Sequence, residues 1–148
     1  MLVDANILVY TMDDSEPDKL ERSLSILDEL RSRRIGALST QTLGEFYRAV
    51  TCRIKNPLPA EEALTQVIAF SAAFPVYNVT LPIVLEAARG VVEHQMSYWD
   101  AQVWATAKLN QIPYVLTENM QGHRTLEGVR FVNPLGRDFD LSQIARRR

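Results

Sequence analysis

Short apolar runs alternate along the 148-residue chain with longer stretches in which apolar residues recur every three or four positions. The short runs predict β-strands, and the longer stretches predict amphipathic helices. The predicted strands cover residues 2–3, 35–38, 76–79, 113–116 and 129–132. Strands alternate with helices, and the helices are numerous enough to cover both faces of a sheet. The pattern therefore predicts an α/β fold, a three-layer α/β/α sandwich around a mostly parallel central sheet.

The predicted helices begin with one over residues 18–34, where Ser15 and Asp18 frame the start like a capping box. Its predicted buried stripe consists of Leu20, Leu24, Leu27 and Leu30. A second helix covers about residues 41–54, and a third has a predicted stripe of Ala60, Ala63, Leu64, Val67 and Ile68. Two more are expected after Thr80 and Ser97, which are typical helix N-caps.

Composition and charge limit the classes of protein to which this sequence can belong. Hydrophobic residues make up 47% and charged residues 23%, which is typical of one soluble globular domain spanning residues 1–148, with 146–148 as a frayed basic tail. The formal net charge of −2 argues against a protein that coats nucleic acid by bulk charge. However, 13 of the 16 basic residues are Arg, whose flat fork suits phosphate groups.

Several chemistries and locations are disfavoured. Cys52 is the only cysteine, so the chain has no internal disulfide and no Cys-based zinc site, which suits a reducing cytoplasm. The apolar opening segment is interrupted by Asp4 and Asn6 and lacks a preceding positive charge, so we expect no signal peptide. No apolar run approaches the length of a membrane span, and we expect no membrane partner. His94 and His123 do not form a metal-binding motif.

Polar residues follow two of the predicted strands. Asp4 and Asn6 come after the first, and Thr117, Glu118 and Asn119 come after the run 113–116. In an open parallel sheet, ligands bind beyond the carboxyl ends of the strands. Turns at strand ends favour the same residue types, so position alone favours a turn over a site.

Asp100 is more informative, because it begins an otherwise apolar stripe on the helix after Ser97. Burying an ionised carboxylate costs several kcal/mol unless something pairs with it. Capping of the helix explains the same residue, so a site and a cap are equally favoured. The stripe consists of Asp100, Val103, Trp104 and Ala107. Trp99 and Trp104 lie at helical spacing, which favours packing in the core over stacking on nucleic-acid bases.

Glu45 falls on the polar side of its helix, which favours an ordinary solvated side chain, and Gly44 beside it would allow close approach of another backbone. Carboxylates that converge at one sheet edge repel one another unless a divalent cation neutralises them. Oxygen ligands without usable Cys or His favour Mg²⁺ or Mn²⁺. Such an ion is suited to phosphoryl chemistry, and the Arg-rich basic set would hold a phosphate backbone around it.

Five segments, in the right order and spread over nearly the whole chain, resemble the motifs of PIN-domain nucleases. The segments are MLVDANILVY (1–10, with its D-x-N signature), STQTLGEF (39–46), YWDA (98–101), TENMQ (117–121) and GVRFVNP (128–134). The last resembles the closing strand of one bacterial branch. Within the family, the chain resembles the VapC-type toxins of bacterial toxin–antitoxin modules.

The resemblance implies a metal-dependent endoribonuclease acting on RNA. It implies an acid pocket that holds Mg²⁺ or Mn²⁺ and consists of Asp4, Glu45 and Asp100. Asn6 and Thr117 would orient the pocket by hydrogen bonds, and Glu118 would be an auxiliary catalytic acid. It also implies a homodimer and a small antitoxin protein that covers or plugs the site.

One position departs from the family pattern. Asn119 stands where the fourth motif usually has an acid, and its amide offers a carbonyl oxygen but no charge. This departure bears on a second metal ion more than on the first. The alternative is therefore a catalytically weakened PIN-like module that binds RNA or protein. A phospho-receiver domain is disfavoured, because the third predicted strand ends without an acceptor Asp at residues 76–80.

Overall fold

A computed structural model describes residues 1–119 and 125–145 of the chain. The strands are β1 (Leu2–Val3), β2 (Leu38–Ser39), β3 (Val76–Tyr77), β4 (Tyr114–Leu116), β5 (Thr125–Leu126) and β6 (Val129–Val132). The helices are α1 (Ala5–Tyr10), α2 (Pro17–Ser32), α3 (Thr40–Cys52), α4 (Ala60–Ala73), α5 (Leu81–His94), α6 (Tyr98–Leu109) and α7 (Leu141–Ala145). The predicted basic tail and the last two residues of the TENMQ segment lie outside the described residues.

The central sheet is mostly parallel, as predicted. Four strands pair in the order β1-β4-β6-β5, and only β5 runs antiparallel to its neighbour. The parallel pair β2-β3 joins them through a bridge between Leu2 and Ala37, so the strands line up as β3-β2-β1-β4-β6-β5. Val3 lies opposite Leu116, and Leu116 lies opposite Val132. The carboxyl ends of β1, β4 and β6 therefore meet at one edge.

Alternate residues along the strands build two cores, one on each face of the sheet. Leu2, Val115 and Phe131 belong to the core formed with α5 and α6. Their neighbours Val3 and Leu116 belong to the opposite core, formed mainly with α1, α2, α3 and α4. Helices thus cover both faces, which gives the three layers that the sequence predicts.

Helices α5 and α6 pack closely because Gly90 faces the Trp104 ring. A Cβ atom at Gly90 would lie 2.8 Å from Cζ3 of Trp104, which is too close for any side chain. Trp104 is fully buried, and its indole N–H donates a hydrogen bond of 3.2 Å to the carbonyl of Leu126. These contacts of Trp104 fix α6 against the sheet and thereby also position the first turn of the helix at Tyr98.

The predicted stripe of α2 is partly wrong. Leu24 is 48% exposed, whereas Ile26 is buried and Leu30 is fully so. At 3.6 residues per turn, Leu24 lies about 120° around the helix from Leu30, so both cannot face the sheet. The expected capping box is also absent, because Glu16 is the N-cap and makes no side-chain cap hydrogen bond.

Other elements also differ from the sequence prediction. Helix α1 and the short elements β5 and α7 were not predicted. In α4, Leu64 and Ile68 are more than half exposed, although both belong to the predicted stripe. Among the helices of residues 1–119 and 125–145, none has the length and apolar character needed to cross a membrane.

Candidate functional site

Asp4 lies at the carboxyl end of β1 and caps α1. Its backbone N–H continues the sheet with a 2.9 Å hydrogen bond to the carbonyl of Leu116. Oδ1 of its side chain accepts from the N–H of Ala5 at 2.7 Å, and Oδ2 accepts from the Thr117 hydroxyl at 2.7 Å. The carboxylate is therefore fixed by the two strand ends that the parallel register brings together.

The pKa of Asp4 is raised from 3.8 to about 6. Burial is the main cause, because Asp4 is 8% exposed and its charged form loses water. The hydrogen bonds from Thr117 and Ala5 oppose the rise, and the negative charges of Glu45 and Asp100 add to it. The carboxylates of Asp4, Glu45 and Asp100 thus repel one another, and this repulsion adds to the rise in the pKa of the buried Asp4.

Asn6 and Thr117 complete a small hydrogen-bonded group around this acid. Nδ2 of Asn6 donates to Oγ1 of Thr117 at 3.1 Å and, more weakly, to Oδ2 of Asp4 at 3.4 Å. The N–H of Asn119 points at the same Thr117 oxygen over 3.3 Å. These are the contacts that a role in orienting Asp4 requires.

Glu45 is delivered by α3, which a capping box of Ser39 and Thr42 starts immediately after β2. Its side chain is half-buried, so the fully solvated position expected from the helix pattern is wrong. Nε2 of Gln41, one turn earlier, donates to Oε1 of Glu45 at 2.6 Å and to the backbone carbonyl of Trp99 at 3.0 Å. Gln41 therefore ties the Glu45 carboxylate to the start of α6.

Asp100 combines both interpretations of its position. It lies in the first turn of α6, where its N–H donates to Oγ of the N-cap residue Ser97 at 3.2 Å. Its half-buried side chain also lines the same cavity as Asp4 and Glu45. A helix cap and a place in the site are thus compatible.

The cavity has a volume of about 610 Å³. Besides the three acids, its lining includes Asn6, Tyr10, Asp13, Gln41, Gly44, Arg48, Arg53, Trp99 and Asn119. Among the described residues, the three acids form no ion pair with Lys or Arg. None of the three acids is therefore paired directly with a described cationic side chain, although Arg48 and Arg53 line the same cavity.

Two further oxygens of the site fit a bound cation. Oδ1 of Asn6 and Oε1 of Gln41 are buried, yet no described group donates a hydrogen bond to either. Buried acceptors normally have a donor, so such atoms require an explanation. A divalent ion with its bound water molecules supplies both donors and positive charge. The oxygen-only donor set fits Mg²⁺ or Mn²⁺ in particular.

Glu118 is placed differently from the other predicted acids. Its carboxylate accepts from the Tyr10 hydroxyl at 2.5 Å and pairs with Nζ of Lys19 at 2.8 Å. It does not line the cavity, whereas its neighbour Asn119 does. The structure therefore does not bring Glu118 together with Asp4, Glu45 and Asp100.

A second cluster of potential ligands lies outside the cavity. Single ligand atoms of Glu93, His94 and Glu127 lie within 4.8 Å of one another. These carboxylates already have cationic partners, because Arg89 pairs with both and Lys108 pairs with Glu127. The Lys108 contact is the main reason why the pKa of Glu127 falls to about 2. These ion pairs explain why the side chains of the cluster lie close together.

The lining residues that the sequence analysis did not predict include Tyr10, Asp13, Gln41, Arg48, Arg53 and Trp99. Trp99 is 60% exposed and lines the cavity, so its predicted core position is wrong. Five positions separate it from the buried Trp104, which places the two about 140° apart around α6. Gln41 carried a signal, since it precedes Glu45 by four residues on one helix face. Arg48 lies further along α3 and Arg53 is the C-cap of that helix, and neither gave a separate signal in the sequence.

The fold and the site together define an α/β protein with an acidic cavity at the carboxyl edge of its sheet. The family model of the PIN domain matches residues 1–125, and the chain belongs to this family. The resemblance inferred from the motifs is thereby confirmed. No curated protein matches the chain significantly.

Solved structures share the fold at low sequence identity. VapBC2 from Rickettsia felis bound to a promoter DNA fragment has 17% identity and a TM-score of 0.64, covering 89% of this chain and 96% of that one. A toxin–antitoxin complex from Klebsiella pneumoniae has 19% identity and a TM-score of 0.65, covering 90% and 96%. The sarcin-ricin-loop-cleaving toxin VapC20 from Mycobacterium tuberculosis has 19% identity and a TM-score of 0.60, covering 87% and 98%.

Proposed function

We propose that this protein is a metal-dependent endoribonuclease that hydrolyses RNA phosphodiester bonds. The observation that carries the proposal is the cavity lined by Asp4, Glu45 and Asp100, none of which forms an ion pair with a described Lys or Arg. The orphaned oxygens of Asn6 and Gln41 at the same cavity support a hydrated cation there. Membership of the PIN family agrees with this interpretation.

Asp4, Glu45 and Asp100 would hold Mg²⁺ or Mn²⁺ in this cavity. The ion supplies an activated water and neutralises charge that develops on the phosphate during cleavage. Thr117 and Asn6 donate hydrogen bonds to the Asp4 carboxylate and so hold it at the cavity. Gln41 holds Glu45 in the same way, and Glu45 serves as a ligand or as the acceptor of a proton from water.

We also propose that the protein is the toxin of a toxin–antitoxin pair. The solved structures that share its fold include one described as a toxin–antitoxin complex and one described as VapBC2 bound to a promoter DNA fragment. A small antitoxin would cover the cavity until it is removed. We further propose a homodimer that works in the cytoplasm, as the resemblance implies.

A second function is a binding module that does not cut. Asn119 lines the cavity with a neutral amide where the family pattern has an acid, which reduces the negative charge available to a second ion. Under this alternative, the wild type binds RNA without turnover in Mn²⁺. An Asn119→Asp variant that alone gains cleavage would identify the natural protein as a weakened enzyme.

The test of the nuclease function compares cleavage of a structured RNA by wild type, Asp4→Asn and Asp100→Asn, with Mg²⁺ or with chelator. Asp28→Asn is the control, since Asp28 is an exposed acid paired with Arg31 on α2. We expect wild type and the control to cut only with the metal, and the two cavity variants to be inactive. Equal cleavage by all samples, or cleavage in chelator, would disprove the assignment.

A further inference from the structure

Lys19 lies on α2, outside the lining of the acidic cavity, and contacts residues from two other parts of the fold. Its Nζ donates to the Tyr10 hydroxyl at 3.0 Å and pairs with Oε1 of Glu118 at 2.8 Å. The same ammonium group stands over the Tyr10 ring, 4.6 Å from the ring centroid. Lys19 therefore joins α2, the last residue of α1 and the segment that follows β4.

The Glu118 carboxylate is held by both of its oxygens. Oε1 pairs with Lys19, and Oε2 accepts from the Tyr10 hydroxyl at 2.5 Å. Because the Tyr10 oxygen accepts from Lys19, its own proton is directed to Glu118. The hydrogen bond to Glu118 is the main reason why the pKa of Lys19 is raised, so the ammonium group stays charged at neutral pH.

Residues 117–119 are tied to helix α1 at two points. At the start of the helix, the Thr117 hydroxyl donates to Oδ2 of Asp4 at 2.7 Å. At the last residue of the helix, Tyr10 holds Glu118. The six residues of α1 span about 9 Å, so the two ties are well separated. A segment that is held at one point can turn about that point, whereas two separated ties fix its orientation.

Side chains hold residues 117–119, because these residues belong to no helix or strand. The N–H of Thr117 still bonds to a carbonyl of β6 at 3.0 Å, and the N–H of Asn119 points back at Oγ1 of Thr117 over 3.3 Å. Between them, the contacts of Glu118 anchor the segment to α1 and α2. The direction of the Thr117 hydroxyl toward Asp4 therefore depends on this anchor.

We propose that Lys19 positions the Asp4 carboxylate: by holding Glu118, it keeps residues 117–119 and the Thr117 hydroxyl in place. The inference rests on the proposed nuclease function, in which Asp4 is a metal ligand. Lys19 is a positioning residue, because it acts through Glu118 and does not line the cavity. Glu118 thereby has a role at the site although its carboxylate is engaged outside the cavity.

An effect of charge alone has the opposite sign. Lys19 is a cation, and the removal of a cation near an acidic cavity strengthens Mn²⁺ binding by Coulomb attraction. If Lys19 positions Asp4, its removal weakens Mn²⁺ binding instead. Lys19→Met separates the two effects, because it keeps most of the apolar stem and removes the ammonium group.

Calorimetric titration with Mn²⁺ measures the affinities of wild type, Lys19→Met and Lys19→Arg. Lys19→Met should bind roughly three- to tenfold more weakly, which is less than the 10- to 100-fold typical when a direct partner of a metal ligand is lost. Lys19→Arg keeps the charge and several donors and should restore most of the affinity. The control is Lys55→Met, which removes an exposed lysine outside the cavity lining and should not weaken binding.

The double variant Lys19→Met/Glu118→Gln tests whether Lys19 acts through Glu118. If it does, the double variant binds Mn²⁺ no more weakly than the weaker of the two single variants, because effects within one network are not additive. If only charge matters, the two substitutions have opposite effects and the double variant returns to the wild-type affinity.

A second measurement needs no metal. The N–H of Asn119 points at Oγ1 of Thr117, so its hydrogen exchange reports on this segment. In chelator, Lys19→Met should lose the protection of that N–H, because the segment opens locally more often. Lys55→Met should leave the protection unchanged.

The role of Lys19 is overturned if Lys19→Met binds Mn²⁺ as tightly as wild type or more tightly, or if Asn119 keeps its protection in that variant. In either case, Mn²⁺ binding by wild type leaves the proposed metal site standing. If wild type binds no Mn²⁺, the metal-dependent function fails, and hydrogen exchange at Asn119 alone decides the role of Lys19.

Discussion

The hydroxyl of Thr117 donates a 2.7 Å hydrogen bond to Oδ2 of Asp4, across 113 positions of sequence. The pair exists because β1 and β4 are parallel neighbours, with Val3 opposite Leu116, so that the residues after each strand meet. Asp4 is the most buried of the three acids in the cavity, and this bond is one of two that offset the cost of its charge. Several predictions about activity and stability depend on that arrangement.

Removal of the Thr117 hydroxyl should impair the site without unfolding the protein. Thr117→Val keeps the shape but removes the donor, so the pKa of Asp4 rises further and its carboxylate is less well oriented. Loss of such a supporting hydrogen bond typically costs about 10- to 100-fold in metal affinity or activity. Cleavage rates at several Mn²⁺ concentrations measure the effect. Thr117→Ser should restore most of the activity, and a Val variant as active as wild type would contradict the role.

Neutralising Asp4 should stabilise the metal-free protein. Because the folded pKa is raised from 3.8 to about 6, the folded state binds the proton more tightly than the unfolded state does. The contribution of Asp4 to stability is therefore largest below pH 4 and is lost as the pH rises through about 6. The difference corresponds to at most about 3 kcal/mol.

Denaturant unfolding in chelator measures this effect. Asp4→Asn should be more stable than wild type at pH 7.5, and the difference should vanish near pH 3.5. Added Mn²⁺ should stabilise wild type and reverse the order. A variant that is less stable than wild type at pH 7.5 in chelator would show that the charge of Asp4 is compensated within the protein.

Gly44 should show opposite effects on stability and function. Gly44→Ala adds a methyl group to an exposed helix position with open space, which should raise the free energy of unfolding by about 1 kcal/mol. The same methyl group projects into the cavity and should lower the cleavage rate. The comparison is Gly90→Ala, which collides with Trp104 and should destabilise the protein by about 1–3 kcal/mol. Unchanged RNA cleavage by Gly44→Ala would show that the substrate does not approach this turn of α3.

Glu118 should matter less than the acids that line the cavity. Its carboxylate is engaged by Tyr10 and Lys19, so Glu118→Gln is expected to lower cleavage less than tenfold. Glu45→Gln, in contrast, should reduce cleavage to the background level. The two rates, measured side by side with the same RNA, decide the point. An equal loss of cleavage in both variants would show that Glu118 is a catalytic acid, as the family motif implies.

The sheet was predictable from the sequence, and local polar residues such as Asp4 and Thr117 marked the ends of two strands. Glu45, in contrast, entered the predicted site only through the family resemblance. The helical structure of the six residues after Asp4 was not predictable, since an apolar run of this length is compatible with a strand or with a buried helix. The exposure of Leu24 could not be predicted from the spacing of apolar residues either. It depends on which direction around α2 meets the sheet, and tertiary packing decides that.

The surroundings of the acids were less predictable than the acids themselves. Gln41, Trp99 and Arg48 have ordinary helical explanations when each is taken alone. Only the meeting of α3 and α6 in the folded protein brings all three to one cavity. Glu118 is the opposite case. Its position in a family motif predicts a catalytic acid, but its carboxylate accepts a hydrogen bond from Tyr10 and forms an ion pair with Lys19.

The most direct test of the central claim is a calorimetric titration of the purified protein with Mn²⁺, comparing wild type with Asp100→Asn and Glu127→Gln. The cavity acids are proposed to hold the ion, whereas Glu127 belongs to the cluster that Arg89 and Lys108 neutralise. We expect Mn²⁺ binding by wild type and by Glu127→Gln, and its loss in Asp100→Asn. Binding that survives in Asp100→Asn, or that disappears in Glu127→Gln, would contradict a metal site formed by Asp4, Glu45 and Asp100.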